Sequence, residues 1–500
     1  MLAGLLTACT RPWKAAPTYA PPAHGVAVGS LANPTPTPQA WLPPTRGPGT
    51  PAVSPTPDAP RPLPTLRARS ETYLVQPGDT LGMLARRYHV SVRALMDANA
   101  LSDPNLLSVG QTLVIPPPDP VGQAPAFKIL PDSGLVDGPA ETLFSTAAWI
   151  RQQSAFLAHY TEEVNGEVWD AARVVDTVAR NYSVSPRVLL ALLEYLGGWI
   201  SQAQPDPATL RYPLGWRDGV HQGLWGQLNW AANELNRGYY LWQVNAVPVL
   251  VLADGNLVRP NPTVNAGTAA VQRLLGLLLG YRDWQQAVGP EGFFATYAAL
   301  FGWPFDWAVE PLVPPDLVQP SMQLPFEPGV PWYFTGGPHG AWGDGSAWAA
   351  LDFAPSDLPP GCGVSAAWVT AVADGLVVRS ESGVVVLDLD GDGYEQTGWA
   401  VLYLHIATQD RVSQGTYLHA GERIGHPSCE GGLATGTHVH VARKFNGQWI
   451  AADGPLPFVL DGWVSQGDGT PYGGWLVRGT RRLEACECRS PKNTLSRGDN

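Results

Sequence analysis

Thr437-His438-Val439-His440 decides the reading of this 500-residue chain. Side chains two apart on a strand point to the same face, so His438 and His440 project together. Two imidazoles on one strand face are a ready metal or acid–base element. Working outward, His405 ends the apolar alternating run Trp399-Ala400-Val401-Leu402-Tyr403-Leu404. Further upstream, Ala350-Leu351-Asp352-Phe353-Ala354-Pro355 sets one carboxylate in an otherwise apolar strand. A single strand histidine is usually a satisfied polar group. Three of them with a strand carboxylate in one β-rich region argue for chemistry instead.

The order Asp-Phe-Ala, then Tyr-x-His, then Gly-Thr-His-x-His resembles the lysostaphin or LytM-type zinc endopeptidases, which cut peptide cross-bridges in peptidoglycan. The resemblance spans about Trp332 to Gly462. It implies that His440 and Asp352 bind zinc and that His438 and His405 are catalytic, facing the scissile carbonyl and the attacking water. One position departs from the pattern. The family's first zinc ligand stands four residues before the Asp, where this chain has Trp348, and indole cannot ligate zinc. Two readings stay open. His339 supplies the ligand while Ala341 to Ala347 loops back, or the site has lost a ligand and only binds wall polymer. A catalytic zinc needs three protein ligands and an open position, and the survival of every other position favours His339.

Five hundred residues allow about three domains. A formal net charge of −12 argues against nucleic acid as a partner. Charged residues are only 15%, while 54 Gly, 50 Pro and 20 Trp suit a loop-rich, extracytoplasmic, carbohydrate-facing protein. At the N-terminus, residues 1–9 end in Leu6-Thr7-Ala8-Cys9, which resembles a lipobox, although no basic segment precedes it. The resemblance implies a lipid anchor on Cys9 and a membrane as partner. Residues 10–70, dominated by Pro, Ala and Thr, cannot bury a core and are expected to be a disordered, extended tether.

Residues 71–117 read as strand, helix, helix, strand. Tyr73-Leu74-Val75 opens it, and Gln76-Pro77-Gly78-Asp79-Thr80 is a turn with a helix cap. Leu81, Leu84, Ala85 and Tyr88 follow at helical spacing. Val92 to Asn99 is a second helix, and Gln111 to Pro116 returns as a strand. This order, with Pro-Gly-Asp-Thr-Leu and Val-Gly-Gln-x-Leu-x-Ile-Pro, strongly resembles the LysM module. The resemblance implies binding of N-acetylglucosamine-containing glycan between Gly78-Asp79-Thr80-Leu81 and Asn105-Leu106-Leu107.

After a linker at 118–140, residues 141–302 are mostly helical. Ser185 is placed as an N-cap with Pro186 at the first helical position. This stretch and Gly238-Tyr239-Tyr240-Leu241-Trp242-Gln243 resemble the lysozyme-like lytic transglycosylase fold. Its catalytic Glu is missing: Leu196-Gly197 stand there, and Glu194 is turned about 200° away around the helix. Glycosidic cleavage needs a carboxylic acid at the leaving oxygen, so a glycan-binding or spacer role is expected. Trp199, Trp216, Trp225, Trp230 and Trp242 read mainly as core.

A Pro-rich connector (303–331) leads into the peptidase-like region (332–490) and a tail (491–500). Within it, Asp388, Asp390 and Asp392 alternate as in a calcium loop, but the twelfth place is Trp399 rather than Glu. Asp-Gly is also a strong turn signal, so calcium is a second candidate cofactor beside a plain hairpin. Of five cysteines, Cys362 and Cys429 are expected to pair in an oxidising compartment, and Cys486 and Cys488 are left open. The whole reads as a multidomain α+β chain: a zinc-dependent peptidoglycan endopeptidase, or an inactive wall-binding relative of one that regulates other hydrolases.

Overall fold

Alternation along Val439–Phe445 places Val439 and Val441 on one side and His440 and Ala442 on the other, and every residue but Phe445 is buried. A strand apolar on both sides belongs at the centre of a covered sheet. In the computed structural model, which describes residues 55–498, that is its place. It sits between Trp399–Leu404 and Ala350–Pro355 in a nine-stranded sheet whose pairings are all antiparallel. Gly375–Glu381, Val384–Asp388 and Tyr417–Leu418 extend it on one side, Pro331–His339 and Thr494–Ser496 on the other.

The two faces of this sheet serve two cores. Leu351, Phe353, Val385, Val401, Tyr403 and Val441 pack with Phe326, Trp332 and Trp463 on one side. Ala350, Val384, Val386, Ala400, Leu402 and Ala442 join the helical core on the other. Asp352 and His440 share that second face, so the polar cluster sits where sheet and helices meet.

The helical region contains Ala171–Tyr182, Pro186–Gly197, Gly223–Gln243, Ala266–Leu278 and Phe293–Phe301. Ser185 accepts from the Val188 N–H and Pro186 holds the first position, as the sequence predicts. Trp199, Trp230 and Trp242 are core residues, while Trp216 and Trp225 are half-buried. Polar contacts join the helices to the sheet. Arg379 donates to Asn181 at 2.8 Å and to Glu395 at 3.1 Å, and Lys444 donates to the same carboxylate at 2.9 Å. Burial alone would raise the Glu395 carboxyl, but Arg379 and Lys444 outweigh it and hold it at about 2.

Glu71–Leu74 pairs with Thr112–Ile115 across the helices Leu81–Tyr88 and Val92–Ala98. Thr80 and Ser91 cap these helices by accepting from the Met83 and Ala94 N–H groups. Cys9 and most of the expected tether lie outside the described residues. Its end is not free chain: Asp58 and Arg61 N–H groups donate to Thr263 and Pro262, and Arg67 donates to Ile115 and Pro116. Among the described residues no helix is long and apolar enough to cross a membrane.

Candidate metal centre

The central strand register sets His440 opposite Asp352 on one side and opposite Leu404 on the other. His339 reaches the same face through an irregularity in its own strand. Gly336 pairs with Asp352, but His339 pairs with Ala350, one residue out of step. A one-residue bulge reverses which side a residue faces, and here it turns His339 toward the cluster. Gly336 is obligatory beside it, since a Cβ there would lie 2.6 Å from the Asp352 carboxylate.

His339 Nε2, His440 Nδ1 and Asp352 Oδ1 converge at 3.0, 3.2 and 3.3 Å from one another. All three residues are buried, and Asp352 Oδ1 has no hydrogen-bond partner. The remaining ring nitrogens are engaged: His339 Nδ1 with the Gly337 carbonyl at 2.8 Å, His440 Nε2 with that of Ala341 at 3.0 Å. Carbonyls only accept, so those nitrogens carry the protons and the converging ones present lone pairs. Three acceptors facing one point suit a cation between them. Zinc bonds of about 2.0–2.1 Å in a tetrahedron separate neighbouring ligands by roughly 3.3–3.4 Å, close to the observed spacing. The donor set fits zinc.

Burial lowers the proton affinity of His440. In His339 the same effect is outweighed by the Asp352 carboxylate, which raises it. Asp352 in turn is held well below the usual carboxylate range by His339 and His438 despite its burial.

His438 and His405 stand beside this triangle. His438 donates from Nδ1 to the Gly436 carbonyl at 2.8 Å, leaving Nε2 3.8 Å from Asp352 Oδ1. His405 leaves its strand in a left-handed conformation, φ 68°, and donates from Nδ1 to Glu430 at 2.9 Å. The His405 and His438 ring centroids are 4.4 Å apart. Burial, with His438 and His440 adjacent, pushes His405 down to about 3, so the ring is neutral. Tyr403, the other half of its motif, is buried elsewhere and accepts from the Val372 N–H.

These groups line a groove of about 2110 Å³ between sheet, loops and helices. Trp348 is a half-buried part of its wall, and its carbonyl accepts from Ala452. Thr437 ties the groove's lip to Gly361 and Gly363, flanking a disulfide between Cys362 and Cys429. A second disulfide joins Cys486 and Cys488. Tyr472 is absent from the sequence-based site. It stacks on His339 with centroids 4.2 Å apart, in a left-handed conformation, φ 67°. Its only sequence signal is a Gly- and Pro-rich turn, Gly469-Thr470-Pro471-Tyr472-Gly473.

The other predicted groups are occupied locally. Asp388 accepts from the Asp390, Gly391 and Gly393 N–H groups, and Asp392 from Tyr394 and Thr397. The three carboxylates come within 4.8 Å of one another, as a turn would bring them. The Glu194 carboxylate accepts from the Ile200 and Ser201 N–H groups at 2.9 and 3.1 Å, capping the loop after its helix. In the small N-terminal domain, Asp79 accepts from Tyr73 and Gln76, next to Gly78, the capping Thr80 and the buried Leu81. Across from this turn, Asn105 donates to Asp103, Leu106 is 66% exposed and Leu107 packs on the core.

A buried His–Asp–His triangle with two further imidazoles beside it on an antiparallel sheet is a donor set that fits a metal. Comparison with known proteins finds metallopeptidases among those the chain is similar to. The family model of the LysM domain matches residues 73–116, and that of the LasA N-terminal domain matches residues 128–313. The chain thus carries both domains, the second where a lysozyme-like fold is expected from sequence. It is similar to protease LasA of Pseudomonas aeruginosa (strain UCBPP-PA14), 30% identical over 296 residues, covering 55% of this chain and 66% of that protein. It is also similar to the beta-lytic metalloendopeptidase of Lysobacter enzymogenes, 27% identical over 153 residues, covering 30% and 82%. The solved M23 metalloprotease pseudoalterin is 25% identical, with 34% of this chain and 96% of that one covered and a TM-score of 0.29. The chain spans just under two thirds of the length of protease LasA.

Proposed function

We propose that this chain is a zinc-dependent endopeptidase that cuts peptide cross-links of peptidoglycan and is held on the wall glycan by its LysM domain. What carries the reading is the unpartnered Asp352 Oδ1 facing two imidazole lone pairs at 3.2 and 3.3 Å. His339, Asp352 and His440 hold the metal. Zinc, when bound, supplies a Lewis acid that polarises an amide carbonyl and makes water a better nucleophile. His438 and His405 each turn Nε2 toward the groove while Nδ1 is pinned to a carbonyl. Imidazoles so oriented can take a proton from the attacking water and return it to the leaving amine. The groove orients an extended peptide across them. Compared with a purely adhesive wall protein, the reading gains support from two oriented imidazoles that adhesion does not need.

Gly78 to Leu81 and Asn105 to Leu107 take the glycan, and Cys9 carries the lipid that keeps the protein outside the cytoplasm at the envelope. Tethering raises the effective concentration of enzyme at an insoluble substrate. The test is metal content with product analysis. The purified chain should hold about one zinc, and His440→Ala should abolish both zinc and muropeptide release. A wild-type chain that digests wall unimpaired after zinc removal would sink the reading.

A further inference from the structure

The disulfide between Cys362 and Cys429 joins two short segments, and each segment holds one of the two imidazoles beside the metal triangle. Cys429 lies between Ser428 and Glu430. The His405 carbonyl accepts from the Ser428 N–H at 2.7 Å and from its hydroxyl at 3.0 Å. His405 Nδ1 donates to the Glu430 carbonyl at 2.9 Å. Cys362 lies between Gly361 and Gly363. The Thr437 N–H donates to the Gly361 carbonyl at 2.9 Å and the Thr437 hydroxyl to the Gly363 carbonyl at 2.7 Å. The Gly363 N–H donates back to that hydroxyl at 2.9 Å. Thr437 stands between Gly436, whose carbonyl fixes His438 Nδ1, and His438 itself. Ser428 and His438 also face each other as an isolated antiparallel pair.

Both segments need that link. His405 has a left-handed φ of 68°, disfavoured for any residue with a Cβ and kept only where its surroundings impose it. Residues 361–364 are all exposed, so burial does not fix them. Beyond them, the Ser365 N–H donates to the Pro427 carbonyl at 3.1 Å, a contact at one end of the loop. We infer that the Cys362–Cys429 bridge is a positioning element for hydrolysis. It locks the two segments together so that His405 and His438 keep their mutual orientation, ring centroids 4.4 Å apart. Among the described residues no hydrogen bond runs from either segment to His339, Asp352 or His440, so the bridge serves the imidazole pair and not the metal. The inference rests on the reading of His405 and His438 as the groups that move the proton. Its consequence is a hydrolase whose rate follows the state of two thiols, full only in an oxidising compartment.

The experiment uses the full zinc-loaded chain and reads zinc content, kcat and KM on a soluble muropeptide, at a temperature where the proteins stay folded. Cys362→Ser, Cys429→Ser and the double variant should each lower kcat by ~10–100-fold, with zinc and KM unchanged. Because one bond is at stake, the double variant should match the singles. Treating the folded wild type with a phosphine should give the same loss. The S–S bond then becomes two thiols while the phosphine takes the oxygen of water, and reoxidation should restore the rate. A chain carrying Cys486→Ser and Cys488→Ser should respond to the phosphine as the wild type does, which assigns the effect to the groove bridge. Thr437→Val, with the bridge intact, should reproduce part of the loss, and Thr437→Ser should recover it. A merely structural bridge would lower the melting temperature and leave kcat alone. Wild-type kcat in the reduced and doubly substituted proteins would overturn the inference. Loss of zinc in step with kcat would overturn it too, since the bridge would then support the metal. A wild-type chain that binds no zinc would instead count against the functional reading itself.

Discussion

Two clusters in the β region bring three metal-capable side chains within 4.8 Å, and they differ in what their lone pairs face. Around Asp388 the oxygens face the backbone: three N–H groups of its own loop converge on one buried carboxylate. Around Asp352 the atoms face each other, and the Oδ1 oxygen has no donor. The first cluster has settled its charge internally, with burial and the Asp390 hydrogen bond pushing the Asp388 carboxyl up to about 7. The second leaves a charge and two imidazole nitrogens for a cation to settle. Carboxylate spacing alone does not distinguish a metal site from a turn; the inventory of donors does.

Four experiments break or sharpen that contrast. The largest effect is expected from Asp352→Asn, which should eliminate zinc binding and hydrolysis, while Asp390→Asn leaves both unchanged by metal analysis and wall digestion. Next, His438→Ala and His405→Ala should each lower turnover by ~10²–10⁴-fold with zinc content retained. That split would separate proton transfer from metal holding. Third, Asp388→Ala removes the acceptor of three part-buried loop N–H groups and should cost ~1–2 kcal/mol in urea unfolding, with or without calcium in the buffer.

The smallest effect is on pH. A carboxyl raised in the folded state contributes stability that is complete below its unfolded pKa and lost as pH rises through the folded one. For Asp388 that window opens near its ordinary 3.8 and closes around 7. Stability should decline by ~1–2 kcal/mol across it, less than an isolated buried acid would lose, because the loop N–H groups still bind the charged form. Asp388→Asn should flatten that part of the curve.

Much of this was legible in the residues. The two-residue spacing of His438 and His440 puts both on one face wherever the strand lies, and Asp352 in an apolar run stands out for the same reason. LysM capping at Thr80 is equally local. His339 could only be named as one of two options, because a bulge shifts register without any residue type that demands it. Trp348 stands where the family pattern has a ligand, and the fold brings His339, at the other end of the loop, beside Asp352 and His440 instead. Tyr472 was missed because a left-handed turn residue 120 positions beyond Asp352 has no periodicity to betray it. The hold of Arg237 on Asp344 depends on packing between regions more than one hundred residues apart, which no window of sequence contains.

The two-sided sheet has a practical corollary. Cut away from the helices, residues 332–498 would present Val384, Val386, Ala400, Leu402 and Ala442 to water as one flat apolar panel. Panels of that kind recruit one another. Trimming this protein to its sheet region therefore courts precipitation, and solubility would be regained by recolouring that panel with charge rather than by shortening the chain further.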